Sequence, residues 1–306
     1  MRFEFYRLRF HFQARESLYF PPGKSANILR GAFGLIFRQI ACVPACRGAS
    51  GCEIRASCPY ARVFEPQAAA GCGPSGLADW PRPFVFRATH LDGRVVPPGE
   101  SFHFDLHLFD LREPPLAYFV LAFTQLVREG LGPRRGRAEL VAVDQLDLAG
   151  TPSSLSGQGV LPAPPCAFEL AGGSTNVDRV TIRFVTPTEL KSGQQIASRP
   201  EFPVLFARLR DRLSTLRALY GPGPLEIDFR SMAERAASVR MTRCELRHRE
   251  VERRSSRTGQ SHPISGFVGE ARYEGSLDEF LPYLHAGKWT GVGRQTVWGK
   301  GEIEVL

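Results

Sequence analysis

Three groups of side chains in this 306-residue chain have the types and spacing to do chemistry. The first is histidine: His11, His90, His103, His107, His248, His262 and His285. An imidazole titrates near neutrality, so it can take a proton from a hydroxyl and return one to a leaving oxygen. His262 is the leading candidate for such a base. It lies in a polar stretch between Arg257 and the strand expected from Gly266, and Pro263 after it restricts the backbone. Arg257 is placed to hold an anionic group beside it. His248 falls on the apolar side of an expected strand and reads as a packed core histidine. It is the second candidate. His103 and His107 lie on the polar face of another strand and read as surface.

The second group is Cys42-x3-Cys46-x5-Cys52-x5-Cys58, four of seven cysteines. Thiolates this close in an irregular segment can close a tetrahedral zinc site, and an iron–sulfur cluster uses four cysteines too. Structural zinc is the expectation. Four protein thiolates leave no open position, so no catalytic metal is expected.

The third group is basic. Arg243, Arg247, Arg249 and Arg253 share one side of an extended reading of residues 241–253, opposite Cys244, Leu246 and His248. A row of arginines on a sheet face can follow a phosphate backbone. Glu245, Glu250 and Glu252 also fit a plain solvated edge strand. The chain then closes on Gly291, Gly293, Arg294, Gly299, Lys300 and Gly301, within the glycine-rich stretch 287–301. Glycines there allow close backbone approach, and flanking Arg and Lys suit a phosphate chain. The competing reading is glycine for turn geometry alone.

These residues need elements to position them. Residues 2–13 alternate as a strand, with Phe3, Phe5, Leu8, Phe10 and Phe12. A helix is expected over 27–41, after Gly23. The segment Pro22-Gly23-Lys24-Ser25 has Leu18 where a phosphate-binding Walker loop needs its first glycine. Residues 42–82 form a cysteine-rich insertion. Strands follow at 84–86 and 102–109, a helix over 116–128, and a strand over 138–148. A Gly/Ser/Pro-rich linker spans 151–177. The pattern then repeats: a strand from Arg179, a helix over 202–219, strands over 239–253 and 266–273, a helix over 277–284 with Ser276 as its cap, and a last strand. The fold class is therefore α+β, two tandem ferredoxin-like βαββαβ domains, 1–150 and 178–306, the plan of an RNA-recognition motif.

Net charge is +8, and only four of the 39 basic residues are lysines, which points to an anionic partner. An arginine-favouring GC-rich genome would also account for that balance. No apolar run reaches membrane-spanning length, and the charged N-terminal strand does not read as a signal peptide, so a cytoplasmic location and no membrane partner are expected.

The closing pattern G-x-G-R-x-T-x-x-G-x-G, Gly291 to Gly301, resembles the C-terminal glycine-rich loop of the RAMP superfamily of CRISPR-associated proteins, above all the endoribonuclease that processes precursor CRISPR RNA. Gly23 to Gly34 is similar to the glycine-flanked first helix of that family, and Cys58 to Glu65 to a cysteine-rich insertion of some members. The resemblance implies tandem ferredoxin-like domains, CRISPR repeat RNA as partner, and a loop that grips its backbone. It implies metal-independent cleavage to a 2′,3′-cyclic phosphate and a 5′-hydroxyl. The alternative is a non-catalytic RNA-binding subunit among other effector subunits. A third reading is a zinc-stabilised interaction protein. The chain departs from the family in three places: residues 27–41 hold no histidine, Gly291 stands where relatives often have one, and Thr258 replaces a usual glutamine.

Overall fold

The computed structural model describes residues 1–42, 51–66, 80–155, 162–172, 176–254 and 261–306. The chain divides into two compact units, Glu4–Cys166 and Ala167–Leu306 with Met1–Phe3.

In the first unit, the long strand β1 (Arg2–Ala14) is followed by α1 (Ser25–Ala41) and the short α2 (Pro59–Phe64). Then come β2 (Phe84–Arg87), β3 (Ser101–Leu108), α3 (Leu116–Glu129), β4 (Ala138–Leu146) and β5 (Pro152–Ser154). The strands lie in the order β2-β3-β1-β4-β5. Every pair is antiparallel. The strand order of the central four is that of βαββαβ, with the first strand between the third and fourth. One face of the sheet packs on α1 and α3 through phenylalanines. Phe33 of α1 stacks on Phe123 of α3 at 4.5 Å, and Phe10 of β1 meets Phe123 at 4.6 Å. Each buried ring contributes about 2–3 kcal/mol from area alone.

The other face was expected to be open, and here the structure differs. Asp105 and His107 of β3 are buried. Asp105 accepts from Arg9 Nε at 2.6 Å and from Arg9 Nη2 at 3.1 Å, which compensates its burial. His107 packs against Phe5, ring centroids 5.4 Å apart.

The second unit repeats the plan with β6 (Arg179–Thr188), α4 (Phe202–Tyr220), α5 (Phe229–Ala236), β7 (Arg240–Arg249), the hairpin strands β8 (Glu252–Arg254) and β9 (Ser261–Pro263), β10 (Gly266–Glu274), α6 (Leu281–Thr290) and β11 (Ile303–Val305). The main sheet runs β7-β10-β6-β11, and β8 pairs with β9 in a separate two-stranded ladder. Leu205, Leu209, Leu213 and Leu216 of α4 are buried, as their helical spacing predicts. Phe206 meets Phe280 edge-on at 4.6 Å and helps seat α4 against the approach to α6.

Two expected boundaries move. Ser276 does not cap a helix. α6 starts at Leu281 with Pro282 in its first turn, a position where the missing N–H costs nothing, and it runs on through Thr290. Residues 239–253 are not one strand: β7 ends at Arg249, and Arg253 belongs to the separate β8–β9 ladder. Among the described residues no helix is long and apolar enough to cross a membrane.

Candidate nucleic-acid interface

The glycine-rich stretch begins inside α6, whose last four residues are Gly287 to Thr290, so the loop proper is Gly291 to Gly301. Its glycines are required by backbone conformation. Gly291, Gly293, Gly299 and Gly301 have φ of 69°, 81°, 80° and 69°, the left-handed region. Around Gly301 a Cβ would meet Val292 C and N at 3.0 Å, with the Val292 carbonyl oxygen nearer still. At Gly293 it would strike the carbonyl of Glu189, just after β6. The loop closes on itself and on β6. Val292 N–H donates to Gly301 O at 2.8 Å, Gly301 N–H to Pro187 O at 3.1 Å, and Arg294 N–H to Glu189 O at 3.0 Å. Glycine geometry therefore forms this loop, as the turn reading had it, and the close approach it permits is first of all to the chain's own backbone.

Lys300 and Arg294 differ sharply. Lys300, expected to suit a phosphate chain, is 2% exposed. Its Nζ donates to Ser265 O at 2.5 Å and to Gln295 Oε1 at 3.0 Å. Burial pushes its pKa down to about 8, with Arg294 adding to that fall and Glu189 opposing it. Lys300 thus clamps the loop to the segment before β10. Arg294 remains half-exposed and pairs with Glu189 at 2.5 Å. Gln295, the residue between Arg294 and Thr296, is left-handed at φ 63° and reaches Pro263 O at 3.5 Å.

Those contacts join the loop to the β8–β9 hairpin. His262 pairs in register with Arg253, one residue before Pro263. β7 ends beside the same place, with Arg249 opposite Gly266 and His248 opposite Phe267. The strand ends carrying His248, Arg249, Arg253 and His262 therefore gather with the glycine-rich loop at one end of the second sheet.

The arginine row is less uniform than alternation suggested. A register shift falls between Met241 and Arg243. Arg243 is exposed but paired with Glu245 at 2.6 Å. Arg247 is exposed and Arg249 half-buried, and among the described residues neither has an ion-pair partner. Further along the sheet, Arg183 bridges Glu270 at 2.9 Å and Glu304 at 3.2 Å. Among the described residues, the arginines of β7 without an ion-pair partner are thus Arg240 at its start and Arg247 and Arg249 at its end. His248, expected on the apolar side as a packed core histidine, is exposed near the end of β7, an edge strand. Arg257 lies outside the described residues.

Of the cysteine set, Cys42 follows α1, Cys58 is the buried N-cap of α2, and Cys52 is half-buried between them. Cys46 lies outside the described residues. Among those described, no three His, Cys, Asp or Glu side chains are gathered as metal ligands.

Glu189 and Gln295 were not singled out in the sequence. No local pattern marks them, because their partners lie across the fold: Arg294 for Glu189, Pro263 and Lys300 for Gln295.

Residues 182–303 match the family model of the CRISPR-associated endoribonuclease Cas6, and residues 3–164 match AF_1859_N, an N-terminal domain. No curated protein is a significant match to the sequence. Among solved structures, a Cas6 product complex is 17% identical, covers 99% of each chain and has a TM-score of 0.55. Thermus thermophilus Cas6 is 16% identical over 99% of this chain and 98% of that one, with a TM-score of 0.53. A chain of a partial Cas6-RT-Cas1–Cas2 complex is 11% identical over 99% of this chain and 46% of that one, with a TM-score of 0.57. At these identities the likeness is one of fold, and it agrees with the two βαββαβ sheets above. By its N-terminal half this chain belongs to the AF_1859_N family, and over residues 182–303 and in its tandem ferredoxin-like fold it is similar to the Cas6 endoribonucleases.

Proposed function

We propose that this protein binds CRISPR repeat RNA and cleaves it within the precursor transcript, without a metal, to a 2′,3′-cyclic phosphate and a 5′-hydroxyl. The observation that carries the reading is the convergence at one end of the second sheet. The loop contacts Pro263 and Ser265 through Gln295 and Lys300, next to His262 and to the end of β7, where Arg247 and Arg249 have no ion-pair partner among the described residues. The Cas6 match over residues 182–303 supports the same substrate class. Arg247, Arg249, Arg253 and Arg294 would track phosphates, while Lys300 and the glycines hold the loop in shape. His262 would take the 2′-hydroxyl proton, with His248 as the alternative base and Arg257 on the scissile phosphate. Cys42, Cys46, Cys52 and Cys58 would hold one structural zinc. Its chemistry there is cross-linking of the segment after α1, and no reaction step passes through it.

A non-catalytic RNA-binding role among other CRISPR-associated subunits is the second reading. The absence of histidine from α1, Ser25–Ala41, favours it. Labelled repeat RNA incubated with purified protein in EDTA separates the two. Cleavage with a cyclic-phosphate end supports the first, salt-sensitive binding without cleavage supports the second, and neither binding nor cleavage overturns both.

A further inference from the structure

Both units follow the plan βαββαβ, so each has an equivalent link from its second helix to its fourth strand. In the second unit that link is the glycine-rich loop between α6 and β11. In the first it is Gly130–Arg137, reading GLGPRRGR, between α3 and β4.

The two links are built alike. Gly130 and Gly132 are left-handed at φ 105° and 79°, as Gly291 and Gly293 are at 69° and 81°. The residue between each pair, Leu131 or Val292, is buried. Leu131 N–H donates to Gly136 O at 2.8 Å, and Val292 N–H donates to Gly301 O at the same distance. Each loop also closes on the stretch that follows the first strand of its own unit. A Cβ on Gly132 would stand 2.9 Å from the carbonyl oxygen of Tyr19, where one on Gly293 would strike that of Glu189. One on Gly136 would strike the Ser17 carbonyl.

The first loop is the shorter, and Arg135 N–H donating to Gly132 O at 3.0 Å makes its tip a tight turn. That turn carries charge. Arg134 and Arg135 are exposed, and among the described residues neither has an ion-pair partner. Arg135 donates from Nη2 to the Glu129 carbonyl at 3.0 Å. Arg134 lies over the Tyr19 ring, 5.9 Å from its centroid. Tyr19 thus holds the position in the first unit that Glu189 holds in the second. Arg294 is paired with a carboxylate there, whereas Arg134 rests on a ring and keeps its charge. Arg137 differs, because Glu16 accepts from its Nε at 2.8 Å and its Nη2 at 2.5 Å. The large apolar side chain of the loop, Leu131, is buried, so what the turn offers a partner is charge.

Resting on the reading that repeat RNA is the partner, we propose that Gly130–Arg137 is a second RNA-binding loop, in which Arg134 and Arg135 each hold one phosphate of single-stranded RNA. The glycines fix the turn. Tyr19 orients the Arg134 guanidinium, a planar fork that matches phosphate oxygens.

The test is the salt dependence of repeat-RNA binding by the full chain in EDTA, read by fluorescence anisotropy, with a thermal melt of each variant. Arg134→Ala with Arg135→Ala should weaken binding and make the slope of log K against log salt shallower by about 1.4. Arg134→Ala alone should take about 0.7, the value for one phosphate on a single strand. Arg134→Lys with Arg135→Lys should restore the slope, because the charge is what displaces counterions. Arg179→Ala with Arg230→Ala is the control: it removes the same charge from two arginines already paired with Glu274 and Glu234, and should keep the parent slope. Arg134 is not in a left-handed conformation, so its single variant carries the test if the double variant melts early. If the Arg134 and Arg135 variants bind with the parent's slope, the proposal is overturned and the RNA reading stands. A control that flattens the slope equally overturns it too, since the effect is then one of net charge. A lysine pair as flat as the alanine pair does the same. If the parent does not bind repeat RNA, the proposal and that reading fall together.

Discussion

Gly301→Ala tests whether the glycine-rich loop is built as described. Gly301 sits at φ 69°, a conformation that costs a residue with a Cβ roughly 1–2 kcal/mol. The new methyl would also stand 3.0 Å from Val292 C and N, and closer to the carbonyl oxygen. Those atoms cannot easily retreat, because Val292 N–H donates to Gly301 O at 2.8 Å and Gly301 N–H to Pro187 O at 3.1 Å. Relief requires losing at least one of these hydrogen bonds, about 1 kcal/mol net each. Together the expected loss is ~3 kcal/mol. At roughly 2–4 °C per kcal/mol for a chain of this size, Tm should fall by about 6–12 °C. Gly31→Ala is the matched control: it lies inside α1, nothing stands within 4 Å of the added methyl, and removing a helical glycine should raise stability by about 0.5–1 kcal/mol. Circular dichroism melts of parent and both variants decide the matter. A Gly301→Ala protein melting within about 1 °C of the parent would refute the crowding argument and with it the account of how the loop holds its shape.

Lys300 makes stability pH-dependent. Its folded pKa of about 8 lies below the unfolded value of 10.5, so above pH 8 the unfolded chain binds more protons and folding is favoured by up to ~3 kcal/mol as pH rises toward 10.5. Denaturant midpoints measured from pH 7 to 10 should show that rise, and Lys300→Met should flatten it; equal slopes in both would remove Lys300 as its source. Replacing Arg247 and Arg249 together by alanine should weaken RNA binding and make the slope of log K against log salt shallower by about 1.4, the value for two phosphate contacts on a single strand. An unchanged slope would move the phosphate track off the end of β7. Metal analysis of purified protein should find about one zinc per chain, lost in Cys52→Ser with a lower melting temperature. A metal-free parent that melts as cooperatively as a zinc-supplemented one would remove the zinc.

The local grammar of the chain determined much of the fold. The alternation of Phe10 and Phe12, or of Val180, Ile182 and Phe184, marks strands with one buried face, because side chains alternate across a pleat. The spacing of Leu205, Leu209, Leu213 and Leu216 marks a helix for the same geometric reason at another period. Repeated twice, these signals give the order of elements in βαββαβ. The closing glycines were legible as a loop, since only glycine takes so many left-handed positions cheaply. What surrounds each polar side chain was decided elsewhere. That Lys300 is buried depends on Ser265 and Gln295. That Asp105 is buried depends on Arg9, 96 residues away. That His11 faces His103 depends on the register of two strands separated by most of a domain. Periodicity reports which side of an element a residue takes. Whether that side meets water, a counter-charge or another imidazole is set by contacts between residues far apart in the chain, and those exist only once the strands have paired.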